Sequence, residues 1–151
     1  MDMSAQENFM SVLAYSPEWA AAFKNEINTS DAYKAAAATW EGTVSLVVLA
    51  EPDKHVSETY GVYMDLWHGE AREVRICSLD EANAADYVLT GSYSRWKQVA
   101  KKELDPIKAM VLGQIKLKGN FTTLVRYTKA AQQLVEATTR VDVTWPDETP
   151  V

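Results

Sequence analysis

Residues 86–128 decide the fold, and they read DYVLTGSYSRWKQVAKKELDPIKAMVLGQIKLKGNFTTLVRYT. They predict a strand that ends at Gly91, a helix after Ser92, a short helix after Asp105, a strand bounded by Gly113 and Gly119, and a last helix. The segment carries more large apolar side chains than such short elements need for packing against one another. This excess predicts an apolar wall that faces something hydrophobic.

Two helices are predicted before the sheet begins. Ser16-Pro17-Glu18 is a helix start, because Ser caps free amides, Pro suits the first helical position and Glu favours the positive end. Residues 28–31 end that helix and cap a second one, which runs to Ala38. Residues 1–15 are expected as a loosely helical N-terminal arm.

Three further strands are predicted where the spacing of apolar residues changes from helical to alternating or continuous. Residues 43–50 are β-branched and apolar, which is typical of a strand buried on both faces. Residues 60–67 alternate between apolar and mixed positions, and residues 72–77 return after a polar turn at 68–70. A last helix is predicted from about Phe121 to Ala137.

The chain is expected to be organised as one domain over residues 16–140, with the arm before it and a C-terminal tail over 141–151. A length of 151 residues suffices for a buried core. No apolar window approaches the length of a membrane span. One cysteine, Cys77, and an acidic N-terminus without an apolar run predict a cytoplasmic protein.

Charge is segregated along the chain. The net charge is −6, yet residues 93–129 carry +7, which leaves −13 on the remainder. Such asymmetry fits a solvated face, or attraction to anionic lipid head groups, acidic ligands or the acidic part of the same surface. A pI near 4.9 and the absence of a recognised motif argue against nucleic acid as a partner.

The sequence offers little catalytic apparatus. His55 and His68 lack a second histidine at metal-binding spacing, and Cys77 has no basic activator, so no metal or cofactor is predicted. Phosphate-binding and nucleophile-elbow motifs are missing, and Gly91-Ser92 lacks the second glycine of an elbow. Binding without catalysis is therefore expected, with an esterase or thioesterase as a minor alternative.

The opening segment resembles the sterol carrier protein type-2 family. The matching pieces are residues 86–91, Trp96, Asp105-Pro106, and Gly113-Gln-Ile-Lys-Leu-Lys-Gly119, while Asn120 stands where the family commonly has Asp. The resemblance implies an α+β fold: a five-stranded, mainly antiparallel sheet covered on one side by about five helices, which encloses an apolar tunnel. It also implies non-catalytic binding of fatty acids, acyl thioesters or sterol-like lipids.

The leading hypothesis is thus a lipid-binding module, and the alternative is an interaction or regulatory module that uses the same apolar surface. Expected partners are a hydrophobic small molecule, with a homodimer, a separate enzyme or transient membrane-surface contact also open. The predicted ligand-binding residues are Trp96, Leu104, Ile107, Met110, Val111, Ile115, Leu117, Phe121, Leu124 and Val125. Plain core packing is the competing explanation for about half of them.

Overall fold

The structure is a computed structural model that describes residues 11–148. Its strands are β1 Val12–Leu13, β2 Glu41–Leu49, β3 Tyr60–Trp67, β4 Glu70–Cys77, β5 Tyr87–Ser92, β6 Lys116–Lys118 and β7 Val143–Thr144. Its α-helices are α1 Pro17–Asn28, α2 Asp31–Ala36, α3 Leu79–Asn83, α4 Tyr93–Ala100, α5 Pro106–Val111, α6 Phe121–Arg126 and α7 Thr128–Thr139. Short 3₁₀ turns occupy Pro52–Lys54 and Pro146–Glu148.

Five of the strands form one sheet in the order β4-β3-β2-β5-β6. The β2–β5 pair is parallel, and the β2–β3, β3–β4 and β5–β6 pairs are antiparallel. The predicted hairpin turn is confirmed between β3 and β4, where His68 and Gly69 adopt positive φ angles of 49° and 81°. The α+β fold with a five-stranded, mainly antiparallel sheet is therefore confirmed.

Alternation along the central strand divides the interior into two parts. Val44, Leu46 and Val48 of β2 face the main core, which α1, α4 and α7 help to cover. Val47, on the opposite face of β2, belongs to a smaller cluster with Ala82 of α3 and Cys77. Most helices therefore cover one face of the sheet, and the short helix α3 lies on the other.

Helix starts follow the predicted caps. The Ser16 hydroxyl accepts a hydrogen bond from the Trp19 amide at 3.1 Å, and Pro17 takes the first helical position. Asp105 accepts from the amides of Ile107 and Lys108, at 2.8 and 3.1 Å. Asn120 accepts from the Thr123 amide at 2.9 Å, so its amide side chain performs the expected capping of α6.

The single last helix predicted from Phe121 to Ala137 is wrong. The chain bends at Tyr127, whose φ and ψ angles of −107° and 31° end α6 and begin α7. Neither Pro nor Gly marks the break. The Tyr127 hydroxyl bonds with the Thr39 hydroxyl at 3.0 Å, so a tertiary contact holds the residue at the bend.

The two ends of the described chain lie together. Helix was expected for residues 1–15, but Val12–Leu13 is a short strand, parallel to Val143–Thr144, and residues 1–10 lie outside the described residues. Tyr15 and Val141 are buried, with 7% of each exposed. Where the structure describes them, the expected arm and tail thus pack against each other and against the core.

Candidate functional site

An apolar cavity of about 120 Å³ lies between the main face of the sheet and the helices. Residues from β2, β3 and β5 form its floor, and residues from α1, α2, α4, α5, α6 and α7 form its walls. None of the described lining residues is charged. The cavity is therefore suited to a hydrophobic occupant, with a few hydroxyl groups as its polar features.

The predicted ligand-binding residues separate into three groups in the structure. Trp96, Ile107, Met110 and Leu124 line the cavity. Leu104, Ile115 and Leu117 pack against the core outside the cavity wall, and Ile115 is fully buried. Val111, Phe121 and Val125 point outward, with 69%, 40% and 39% of each residue exposed.

Trp96 is fixed both by packing and by a hydrogen bond. Its indole Nε1 donates to the Val47 carbonyl oxygen of β2 at 2.9 Å, and 4% of the residue is exposed. Gly91 leaves room for this approach, since a Cβ atom there would lie 3.3 Å from Nε1, which is tighter than an ordinary contact. The bond holds α4 against the sheet and keeps one face of the indole on the cavity.

Nine of the 23 described lining residues come from the part of the chain before β5, which the sequence did not assign to the site. Tyr15, Trp19, Phe23, Tyr33 and Trp40 all line the cavity. Trp19 and Phe23 stack with ring centroids 4.9 Å apart, one helical turn from each other on α1. Their spacing in threes and fours was a signal for a buried stripe, but it does not distinguish a core from a cavity wall.

Two tyrosine hydroxyls of the wall have no hydrogen-bond partner within residues 11–148, namely those of Tyr15 and Tyr33. Both side chains are more than nine-tenths buried. Burial raises the pKa of Tyr33 to about 12, and burial together with the nearby Tyr60 raises the pKa of Tyr15. By contrast, Tyr127 and Thr138 of the wall bond to Thr39 and to the Val135 carbonyl.

A polar latch closes the structure beside the cavity, where the C-terminal segment meets α4. The Tyr93 hydroxyl donates to Asp147 Oδ1 at 2.6 Å, and Lys97 Nζ donates to Asp147 Oδ2 at 3.0 Å. Burial raises the pKa of Asp147, but the hydrogen bonds from Tyr93 and Lys97 outweigh it and lower that pKa overall. Asp147 is therefore ionised at neutral pH and links Pro146–Glu148 to α4.

The histidines and the cysteine of the described chain lie away from the cavity. Within residues 11–148, no group of three or more His, Cys, Asp or Glu side chains is arranged to hold a metal ion. His68 pairs with Glu41 on the surface at 2.6 Å, and neither histidine lines the cavity. Cys77 is buried in the smaller cluster, where burial raises the pKa of its thiol.

Comparison with known proteins gives one family and several solved structures. Residues 22–147 match the model of the SCP-2 sterol transfer family. A crystal structure of sterol carrier protein 2 is 35% identical, with a TM-score of 0.77 over 85% of this chain and 98% of that chain. A Thermus thermophilus protein, described as a candidate sterol carrier protein, is 32% identical, with a TM-score of 0.76 over 89% and 96%.

A more distant structure, sterol carrier protein 2 of Yarrowia lipolytica without ligand, is 14% identical. Its TM-score of 0.55, over 87% of this chain and 98% of that chain, shows a shared fold alone. No curated protein sequence matches the chain.

A five-stranded sheet with most helices on one face is the fold of the sterol carrier protein 2 structures. The chain belongs to the SCP-2 sterol transfer family, because the family model covers most of its length. Lipid binding or transfer is the general activity that this membership supports. Within residues 11–148, none of the helices combines the length and the hydrophobicity that a bilayer span requires.

Proposed function

We propose that this chain binds one hydrophobic molecule in the cavity and carries it without chemical conversion. The observation that supports the proposal most is the uncharged wall, which combines Trp96, Ile107 and Leu124 with two tyrosine hydroxyls that lack protein partners. Such a wall favours a ligand that is mostly hydrocarbon with a small polar group. Fatty acids and sterol-like lipids share that composition, and an acyl thioester shares it in its acyl chain alone.

The size of the cavity implies that its wall moves when ligand enters. An engineered cavity of roughly 150 Å³ holds a ring the size of benzene, so about 120 Å³ is too small for a long acyl chain. The helices most suited to move are α5 and α6, which have six residues each and carry the exposed apolar residues Val111, Phe121 and Val125. Ile107 and Met110 of α5 line the cavity yet remain partly exposed, so this wall is thin.

The lysines of β6 are candidates for the ligand's charged end. Lys116 and Lys118 are exposed, and Lys118 Nζ already donates to the Asn83 carbonyl at 3.1 Å. Neither lysine lines the cavity. Ordinary solvent-facing lysines are therefore favoured over a carboxylate-binding pair, and Tyr15 and Tyr33, which line the cavity, are the better candidates.

Native mass spectrometry of the purified protein tests the proposal. Long-chain fatty acid, acyl-coenzyme A and sterol are added separately, each below its critical aggregation concentration. We expect a one-to-one complex with at least one of these ligands, because a single cavity offers one site. Protein that neither retains a hydrophobic ligand from the expression host nor takes one up from any of the three classes would overturn the proposal.

The interaction-module alternative and the cytoplasmic location stay predictions. Size-exclusion chromatography with light scattering tests the alternative, since a regulatory module would form a dimer or retain a partner protein. A strict monomer that binds lipid favours the carrier function. Any enzyme partner would then act on the cargo after release.

A further inference from the structure

The segment from Pro106 to Lys129 has a charge composition unlike that of the rest of the chain. It contains Lys108, Lys116, Lys118, Arg126 and Lys129 and no Asp or Glu, so it carries +5 while the whole chain carries −6. All five side chains are exposed. None of them pairs with a carboxylate within the described residues, whereas nearby Lys97, Lys101 and Lys102 all do.

The same segment also carries the most exposed large apolar side chains of the described chain. Val111 and Leu112, at the end of α5, are 69% and 63% exposed. Phe121 and Val125, one turn apart on α6, are 40% and 39% exposed. Exposed apolar side chains together with unpaired cations in one segment are the composition that favours the interface of an anionic bilayer, where acyl chains meet negative head groups.

The exposed apolar side chains of this segment lie beside the cavity. Ile107 and Met110 of α5 and Leu124 of α6 line the cavity, while Val111, Leu112, Phe121 and Val125 lie on the outer sides of the same two helices. The strand β6, with Lys116 and Lys118 exposed, connects the helices at the edge of the sheet. The thin wall of the cavity and the basic apolar surface are thus two sides of one layer.

We propose that this surface, which we call the α5–α6 surface and define by Lys108, Val111, Leu112, Lys116, Phe121 and Val125, docks the protein on anionic lipid bilayers. The apolar side chains enter the head-group region and the cations contact lipid phosphates. The remainder of the chain, with a net charge of −11, is repelled by the bilayer, so the α5–α6 surface faces it. The purpose of docking, exchange of cargo through the thin wall, depends on the proposed function, but the docking itself does not.

Vesicle flotation of the full chain tests the docking. Vesicles of phosphatidylcholine alone are compared with vesicles of equal parts phosphatidylcholine and phosphatidylglycerol. Binding is expected to the anionic vesicles, and it should weaken as salt shortens the Debye length from about 10 Å at 0.1 M to about 3 Å at 1 M. Equal binding to both vesicle types, or none to either, would contradict the proposal.

Two pairs of variants identify the surface. The double variant Val111→Asp/Leu112→Asp should abolish flotation. The control Leu79→Asp should leave flotation unchanged, because Leu79 is 42% exposed on α3, on the far face of the sheet. Lys116→Glu changes the charge by two units and should weaken partitioning by roughly 30-fold, since each charge near the surface contributes about 1 kcal/mol. Lys34→Glu, which makes the same charge change on exposed α2, should have little effect. An equal loss of vesicle binding in the two control variants would contradict the assignment of this surface.

A second measurement separates failure of docking from failure of ligand binding. The same variants are titrated with a soluble fluorescent fatty acid in the absence of vesicles. Because Val111 and Leu112 do not line the cavity, their substitution should leave this affinity unchanged. Anionic-vesicle binding by a protein that takes up no lipid would support the docking surface while contradicting the carrier function. Vesicle binding by both surface variants at the parent level would contradict the docking surface alone.

Discussion

At the scale of single residues, Trp96 connects the sheet to the cavity. Its indole packs in the core, donates to the Val47 carbonyl and presents one side to the cavity. Buried tryptophans usually find a partner for the indole N–H, because an unpaired donor in an apolar interior is unfavourable. The residue therefore contributes to stability through a bond and to the site through its surface.

Trp96→Phe should lower the free energy of unfolding by about 1–3 kcal/mol, since it removes both the hydrogen bond and part of the buried ring. Urea unfolding followed by circular dichroism measures this change. Trp67→Phe is the matched control, because Trp67 is 39% exposed and should lose less than about 0.5 kcal/mol. Equal losses at the two positions would show that the bond to Val47 contributes nothing.

Residue chemistry also explains which of the predicted ligand-binding residues lie at the cavity. Ile107, Met110 and Leu124 line it, and they are large apolar residues in short helices with little else to cover. Val111 and Val125 satisfy the same description, yet they point outward, because the rotation of a six-residue helix about its axis is set by tertiary contacts. A sequence pattern of one or two turns does not fix that rotation.

At the scale of secondary-structure elements, the Pro146–Glu148 turn is held to α4 by charge-assisted hydrogen bonds. Lys97 Nζ contacts Asp147 Oδ2 at 3.0 Å and Glu148 Oε2 at 3.2 Å, and it lies 5.7 Å from the Trp145 ring centroid. Trp145 in turn packs on Tyr15, whose ring centroid is 5.9 Å away. The C-terminal segment thus covers one end of the cavity wall.

Asp147→Asn should destabilise the protein at neutral pH by about 1–3 kcal/mol, because the hydrogen bonds from Tyr93 and Lys97 lose their charged acceptor. The folded-state pKa of Asp147 is lowered, so its contribution is fully present above the ordinary aspartate pKa and is lost as pH falls through the lowered pKa. The difference in unfolding free energy between parent and variant should therefore shrink below about pH 4.

Chemical denaturation at a series of pH values from neutral to acidic measures that difference. Asp142→Asn is the matched control, since Asp142 is exposed, is close in sequence and forms no ion pair within the described residues. A difference for Asp147→Asn that does not change with pH would show that the latch is not electrostatic.

Elements with strong local signals could be predicted, and elements defined by distant contacts could not. The strand at 87–92 and the caps at Ser16, Asp105 and Asn120 follow from short patterns that carry their own geometry. The break at Tyr127 and the pairing of Val12–Leu13 with Val143–Thr144 depend on residues far away in the chain. A strand of two residues is too short to show an alternating pattern of apolar and polar residues.

At the scale of the whole molecule, the sheet and α3 provide a fixed base, and the cavity lies under the layer of helices. Gly61 allows α3 to pack closely on the sheet, because a Cβ atom there would lie 2.5 Å from Ala82 Cβ. On the main face, α1 and α7 cover the sheet with 12 residues each, whereas α5 and α6 have six. This unequal cover places the thin wall of the cavity at one side, where the unpaired cations are concentrated.

The family resemblance identified the fold and the class of function from the C-terminal half of the chain. It did not identify the residues of the N-terminal half that line the cavity. Tyr15, Trp19, Phe23 and Tyr33 read as ordinary core residues, since apolar periodicity is the same for a core and for a wall. Only the three-dimensional arrangement shows that the two halves of the chain face a common space.

The central claim is that a hydrophobic ligand occupies this cavity, and a cavity-filling substitution tests it most directly. Ala131→Phe places a phenyl ring in the wall on α7, and Ala21→Phe places the same ring on the exposed side of α1. Both proteins are titrated with a fluorescent fatty acid after circular dichroism confirms that each is folded. We expect Ala131→Phe to lose at least tenfold in affinity and Ala21→Phe to bind like the parent. Unchanged affinity in a folded Ala131→Phe protein would place the ligand elsewhere and contradict the claim.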